Sequence, residues 1–118
     1  MSISETMKKQ WDGYADYHRC RANLVIHIIA VPVFLVGTIG FLAALIRGDF
    51  GGMVTAIVVM AVAMGAQGYG HSQEERPAEP FAGPADALVR IFLEQWLSFP
   101  RFVASGKWQE AYGRATRG

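Results

Sequence analysis

The sequence predicts an all-α membrane protein: a two-span transmembrane hairpin with an N-terminal amphipathic helix and a C-terminal membrane-associated helix. Three observations carry this. Hydrophobic residues make up 52% of the chain and charged ones 18%, a balance too apolar for an ordinary soluble domain of this size. Residues 22–46 and 50–70 are uncharged, and each run matches or exceeds the roughly 20 residues that cross a bilayer. Only Arg47-Gly48-Asp49 separates the runs, so the two helices must be antiparallel neighbours. At 118 residues the chain is read as a single helical membrane domain, 1–118. A net charge of +1 with no concentrated basic face argues against a nucleic-acid partner. Cys20 stands alone, which excludes an intramolecular disulfide.

The elements follow in order. Over residues 3–18, Met7, Trp11, Tyr14 and His18 recur at helical spacing and form an amphipathic stripe. Ser2 or Ser4 is its N-cap, and the helix either lies along the membrane interface or docks beneath the spans. No signal peptide is expected: residues 1–21 are polar, and the apolar run behind them is too long for one. The first span has only Asn23, His27 and Thr38 as clearly polar residues, and Pro32 is predicted to kink it. In the second, Ala61, Gly65 and Gly68 offer a small-residue face for close helix packing, or for a second copy of the chain in a homo-oligomer.

Residues 75–84 are rich in turn formers. A further helix, about 84–99, starts at Pro84, which a first turn tolerates, and is predicted to break at Pro100. Along it Asp86, Arg90 and Glu94 share one face, either a solvated edge or a polar lining turned toward a site. Phe99, Phe102 and Trp108 look like interface anchors. Lys8, Lys9, Arg19 and Arg21 precede the first span, and Arg101, Lys107, Arg114 and Arg117 follow the last helix. Against the lone Arg47 of the hairpin loop, this bias puts both termini in the cytoplasm, and the protein in the inner membrane if the source is bacterial.

The three histidines mark the candidate site. His18, His27 and His71 all sit at or just inside the edge of an apolar run, where an imidazole is costly unless paired or coordinated. Hairpin topology alone makes His27 and His71 neighbours, since the first span begins where the second ends. His18 is about half a turn out of phase with His27 on a straight helix. Both reach one site only if the chain bends between Arg19 and Asn23. Glu74 or Glu75 follows His71 at a spacing that shares its face if the helix continues past Gly70. Three histidines and a carboxylate suit Fe, Mn or Zn. Other uses of such residues are a haem- or metal-binding membrane protein, with His27 and His71 as axial ligands, and a non-catalytic helical scaffold.

Several blocks resemble a known membrane family. They are Tyr14-x3-His18-x4-Asn23-x3-His27 with Pro32 behind it, Gly70-His71 with a glutamate soon after, Pro80-Phe81-x-Gly83-Pro84, and Glu94-Gln95-Trp96 with Phe99-Pro100-Arg101-Phe102. Together they cover roughly residues 8–108 and are similar to the 2-hydroxy fatty acid dioxygenases of phytosphingosine degradation, in a bacterial branch. The resemblance implies an Fe(II)-dependent dioxygenase that converts a 2-hydroxy fatty acid and O2 to a fatty acid one carbon shorter. It maps the catalytic, metal-binding histidines onto His18, His27 and His71, with Glu74, or else Glu75, as the carboxylate. Substrate would enter from the bilayer, and Tyr14, Asn23, Arg21 and Arg90, with Arg19, are the candidates for contacting it.

Overall fold

The computed structural model describes residues 2–115. A capping box starts α1 (Ile3–Gly13): the Glu5 N–H donates to Ser2 Oγ at 3.1 Å, and the Ser2 N–H donates to Glu5 Oε1 at 3.0 Å. Ser2, not Ser4, is therefore the cap. The chain tightens into a 3-10 turn at Tyr14–Tyr17, leaves helical geometry at residues 18–20, and enters α2 at Arg21. The change of direction thus comes slightly earlier than the phase of His18 predicts, and Asn23 is already helical.

Helix α2 (Arg21–Arg47) runs through Pro32 as one helix. It stops at Gly48, whose φ of 68° is left-handed, a conformation glycine adopts without the strain a side chain would bring. Asp49 then accepts the Gly52 N–H at 2.9 Å and caps α3 (Phe50–Ser72). Both helices are long and apolar enough to cross a membrane. They pack through Ala30, Phe34 and Gly37 of α2 against Ala56, Ala63, Gln67 and Gly70 of α3. Ala61, Gly65 and Gly68 are exposed instead of lying in this contact. They sit two residues behind the packed positions 63, 67 and 70, which on a helix is about 200° of rotation. The outward faces are apolar, with Ile29, Val36, Ile46 and Val62 each more than half exposed.

The C-terminal half corrects the predicted helix boundary. Helix α4 (Pro84–Leu93) passes without a break into a π turn at Glu94–Ser98 and then α5 (Phe99–Ala104). Pro100 has no N–H to give to the carbonyl four residues back. Just before it the chain takes the wider register, with the Phe99 N–H reaching Glu94 O. Helix α6 (Lys107–Arg114) follows and lies over the start of α2, where the Trp108 indole N–H donates to Leu24 O at 3.0 Å. Phe99 and Phe102 are not interface anchors: they are 3% and 1% exposed and join Tyr14, Leu24 and Val31 in the core. Burial of a side chain such as Phe102 contributes about 2 kcal/mol. The outward apolar residues of this half include Leu88, Phe92, Trp96 and Leu97. Arg117 lies outside the described residues.

Candidate metal centre

His18, His27 and His71 come together at the open end of the hairpin, opposite the Gly48–Asp49 loop. Their ring centroids lie 4.8, 4.8 and 5.0 Å apart, and each pair of rings is close to perpendicular. Each arrives from a different element: His18 from the break after the 3-10 turn, His27 from the second turn of α2, and His71 from the last turn of α3. Gly70 brings α3 close enough for this. A Cβ there would collide with Asn23, so the Gly70-His71 and Asn23-x3-His27 blocks are a matched packing contact.

Two of the imidazoles are fixed from behind. His18 Nδ1 lies 2.7 Å from Tyr14 O, and His27 Nδ1 lies 3.0 Å from Asn23 O. A carbonyl only accepts, so each Nδ1 carries the proton and each Nε2 presents a lone pair. Both Nε2 atoms, and His71 Nδ1, are buried without a hydrogen-bond partner. Buried acceptors left unpaired cost free energy.

The carboxylate beside them is Glu94, from the π turn. Glu94 Oε2 is 3.4 Å from both His18 Nε2 and His27 Nε2, without hydrogen-bond geometry to either. Tyr14 stacks on His18 at 3.9 Å and donates its hydroxyl to the same oxygen at 2.9 Å. Burial pushes the Glu94 carboxyl up; positive charge at the two Nε2 atoms, as protons or as a metal ion, pulls it well below the usual carboxylate range. Burial, reinforced by the Glu94 charge, pushes the Tyr14 phenol well above its ordinary value, so the hydroxyl stays a donor. The ligand atoms of His18, His27, His71 and Glu94 all fall within 4.8 Å of one another.

This group fits a metal. Three partnerless imidazole nitrogens and a carboxylate, converging at a largely buried point beside a cleft, are a nitrogen–oxygen donor set for Fe, Mn or Zn. It does not fit a haem spanned by His27 and His71. Rings on opposite faces of a macrocycle could not have centroids 5.0 Å apart with His18 and Glu94 packed against them.

Glu74 and Glu75 lie outside the group. Helix α3 ends at Ser72, so the spacing that would put Glu74 on the face of His71 no longer applies. Glu74 turns to the start of α2, where it accepts the Arg19 and Cys20 N–H groups at 2.9 and 3.0 Å and the Asn23 side-chain amide at 2.8 Å. A helix N-terminus favours a carboxylate there. Glu75 is exposed. Asn23 is thus spent on the hinge and on His27. Arg21 lies over the Tyr112 ring, 4.9 Å from its centroid, and Arg19 pairs with Asp16 at the surface. Arg90 donates to Pro80 O and Glu79 O, each at 2.9 Å, and pairs with Asp86. Of the five expected substrate contacts, Tyr14 and Arg90 border the open space next to the cluster, a cleft of about 980 Å³ that His18, His71 and Glu94 also line.

Glu94 was legible as one member of the Asp86–Arg90–Glu94 face and as part of the Glu94-Gln95-Trp96 block, but not as the carboxylate of the cluster. The structure divides that face: Asp86 and Arg90 pair with each other while Glu94 turns inward. The nearby signal is Pro100, six residues on, which disturbs the helix just where Glu94 begins the π turn. Such turns recur at functional sites. Behind it, Gln67 and Gln95 donate to each other at 2.9 and 2.7 Å, both buried, and tie the π turn to α3.

A family model described as 2-hydroxy-palmitic acid dioxygenase Mpo1-like matches residues 4–100. No curated protein and no solved structure matches the chain.

Proposed function

The chain belongs to the Mpo1-like family, and from that membership we propose that it is an integral membrane, Fe(II)-dependent dioxygenase that shortens 2-hydroxy fatty acids by one carbon. The observation that carries the reading is the convergence of three buried, partnerless imidazole nitrogens with one carboxylate. In this reading His18, His27, His71 and Glu94 hold the metal, and Glu74 holds the hinge. Bound there, Fe(II) supplies a centre at which O2 can be reduced.

The overall change balances with one O2. The bond between C1 and C2 breaks, C1 leaves as CO2, C2 becomes the new carboxyl carbon, and O2 takes up the electrons, leaving water as the other product. The chain's own residues prepare this. The carbonyls of Tyr14 and Asn23 keep protons on His18 and His27 Nδ1, so that Nε2 is available. Tyr14 fixes the orientation of Glu94 through its hydroxyl. Phe99 and Phe102 keep water from the far side of the imidazoles.

The two apolar helices, with their exposed aliphatic faces, support insertion in a bilayer from which the substrate arrives. In this reading the excess of Lys and Arg before the first span and after the last helix supports both termini on the cytoplasmic side. The test is metal analysis of protein purified without chelator, followed by turnover of 2-hydroxypalmitic acid with Fe(II) restored anaerobically before O2 is admitted. Stoichiometric iron and pentadecanoic acid as product are expected. Turnover that survives removal of the metal would rule the reading out.

A further inference from the structure

Two glycines near the end of α3 have opposite surroundings. At Gly70 a Cβ would collide with Asn23, whereas at Gly68 it would meet nothing within 4 Å. Gly68 lies outside the α2–α3 contact for which the predicted small-residue face suggested it. It lines the cleft beside the metal cluster, three residues before His71 and on the same side of the helix.

The cleft has unlike ends and unlike walls. At one end are His18, His71 and Glu94, with the buried Nε2 of His18 lacking any partner. From there Gly68 and Met64 extend the α3 wall by about 10 Å along the helix axis, at 1.5 Å per residue. Val89 and Ile91 of α4 face the same space. The volume, about 980 Å³, is at the upper end of the range of small-molecule sites. The cations that line the cleft are already paired, Lys9 with Glu79 and Arg90 with Asp86. Three neutral imidazoles and one carboxylate around a divalent ion leave a net positive charge, so an anionic head is drawn to the cluster and an alkyl tail to the α3–α4 wall.

We propose that this wall is the acyl subsite and that Gly68, by having no side chain, sets how long an alkyl chain the protein admits. The inference rests on the 2-hydroxy acid reading above. Met64, one turn deeper, is a flexible side chain that shapes itself to the tail.

The test compares the unaltered full chain with Gly68→Leu, Gly68→Phe and Gly65→Leu in one detergent. Gly65 also has open space around it but does not line the cleft. Two quantities are read: the Co(II) absorption spectrum of each protein, and kcat/KM for 2-hydroxydecanoic, 2-hydroxymyristic and 2-hydroxypalmitic acid with Fe(II). Both Gly68 variants should keep the Co(II) spectrum and lose about tenfold or more in preference for the longest acid over the shortest, Phe more than Leu. Gly65→Leu should leave the preference unchanged. An unshifted preference in Gly68 variants that retain the Co(II) spectrum overturns the subsite. If Gly68→Phe does not fold, the graded pair Gly68→Ala and Gly68→Leu decides in the same way. If the unaltered protein turns over none of the three acids, the functional reading itself fails and the subsite with it, an outcome distinct from an unshifted preference.

Discussion

Glu74 and Glu94 are two inward-turned carboxylates at the same end of the molecule, and they are used in opposite ways. Glu74 is surrounded by donors: two backbone N–H groups of the hinge and the amide of Asn23. Glu94 meets one hydroxyl donor, from Tyr14, and otherwise faces nitrogens that present lone pairs. A carboxylate among donors is complete as it stands. A carboxylate among acceptors is incomplete without a cation. Surroundings, not residue type or nearness to a histidine in sequence, separate the acid that ties the hinge from the acid that joins the histidines.

The sharpest way to break this contrast is to neutralise Glu94. Glu94→Gln should lower divalent metal affinity by about 100-fold, the upper end of what even outer-shell changes do, with helicity by circular dichroism unchanged. Chelator-competition titration with Co(II) measures it, and wild-type affinity in this variant would end the contrast. The matching change, Glu74→Ala, takes the carboxylate from two buried donors and one partly buried one and should cost about 2 kcal/mol of stability. Denaturation in detergent reads that cost, and metal bound by the folded fraction should fall far less than in Glu94→Gln.

Gly70→Ala tests whether the hinge and the cluster are joined through the α2–α3 contact. Its Cβ would meet Asn23, and the forced separation should cost about 1–3 kcal/mol while also weakening metal binding, because His71 is the next residue. Stability unchanged from wild type would contradict the contact. Tyr14→Phe keeps the ring against His18 and removes only the hydroxyl that orients Glu94. It should lower metal affinity about tenfold with stability reduced by about 1 kcal/mol, seen in the same titration.

The smallest effect concerns an exposed acid. Lys9, through its hydrogen bond and then its charge, lowers the Glu79 carboxyl below its ordinary 4.5. Stability from this pair is therefore complete above that value and lost as pH falls through the lower, folded one. Lys9→Ala should flatten the acid limb of the stability–pH curve slightly, leaving metal binding as it was.

Much of this was readable along the chain. The runs at 22–46 and 50–70 match α2 and α3 to within two residues, because uncharged length is a local property. The meeting of His27 with His71 followed from a loop too short to allow any arrangement other than an antiparallel pair. His18 joined them through the change of direction that its helical phase required. What could not be read was where regular helix stops. Helix α3 ends before Glu74, and α4 widens into a π turn at Glu94 and does not end before Pro100.

Sequence by itself thus determined an all-helical class, the hairpin and the three converging histidines, since these depend on run length, loop length and period. Only the tertiary structure decided which acid completes the cluster and which glycine opens the cleft. Both depend on a rotation of a fraction of a turn, set by what packs behind the helix: the Gln67–Gln95 pair behind Glu94, and Asn23 at Gly70 against empty space at Gly68.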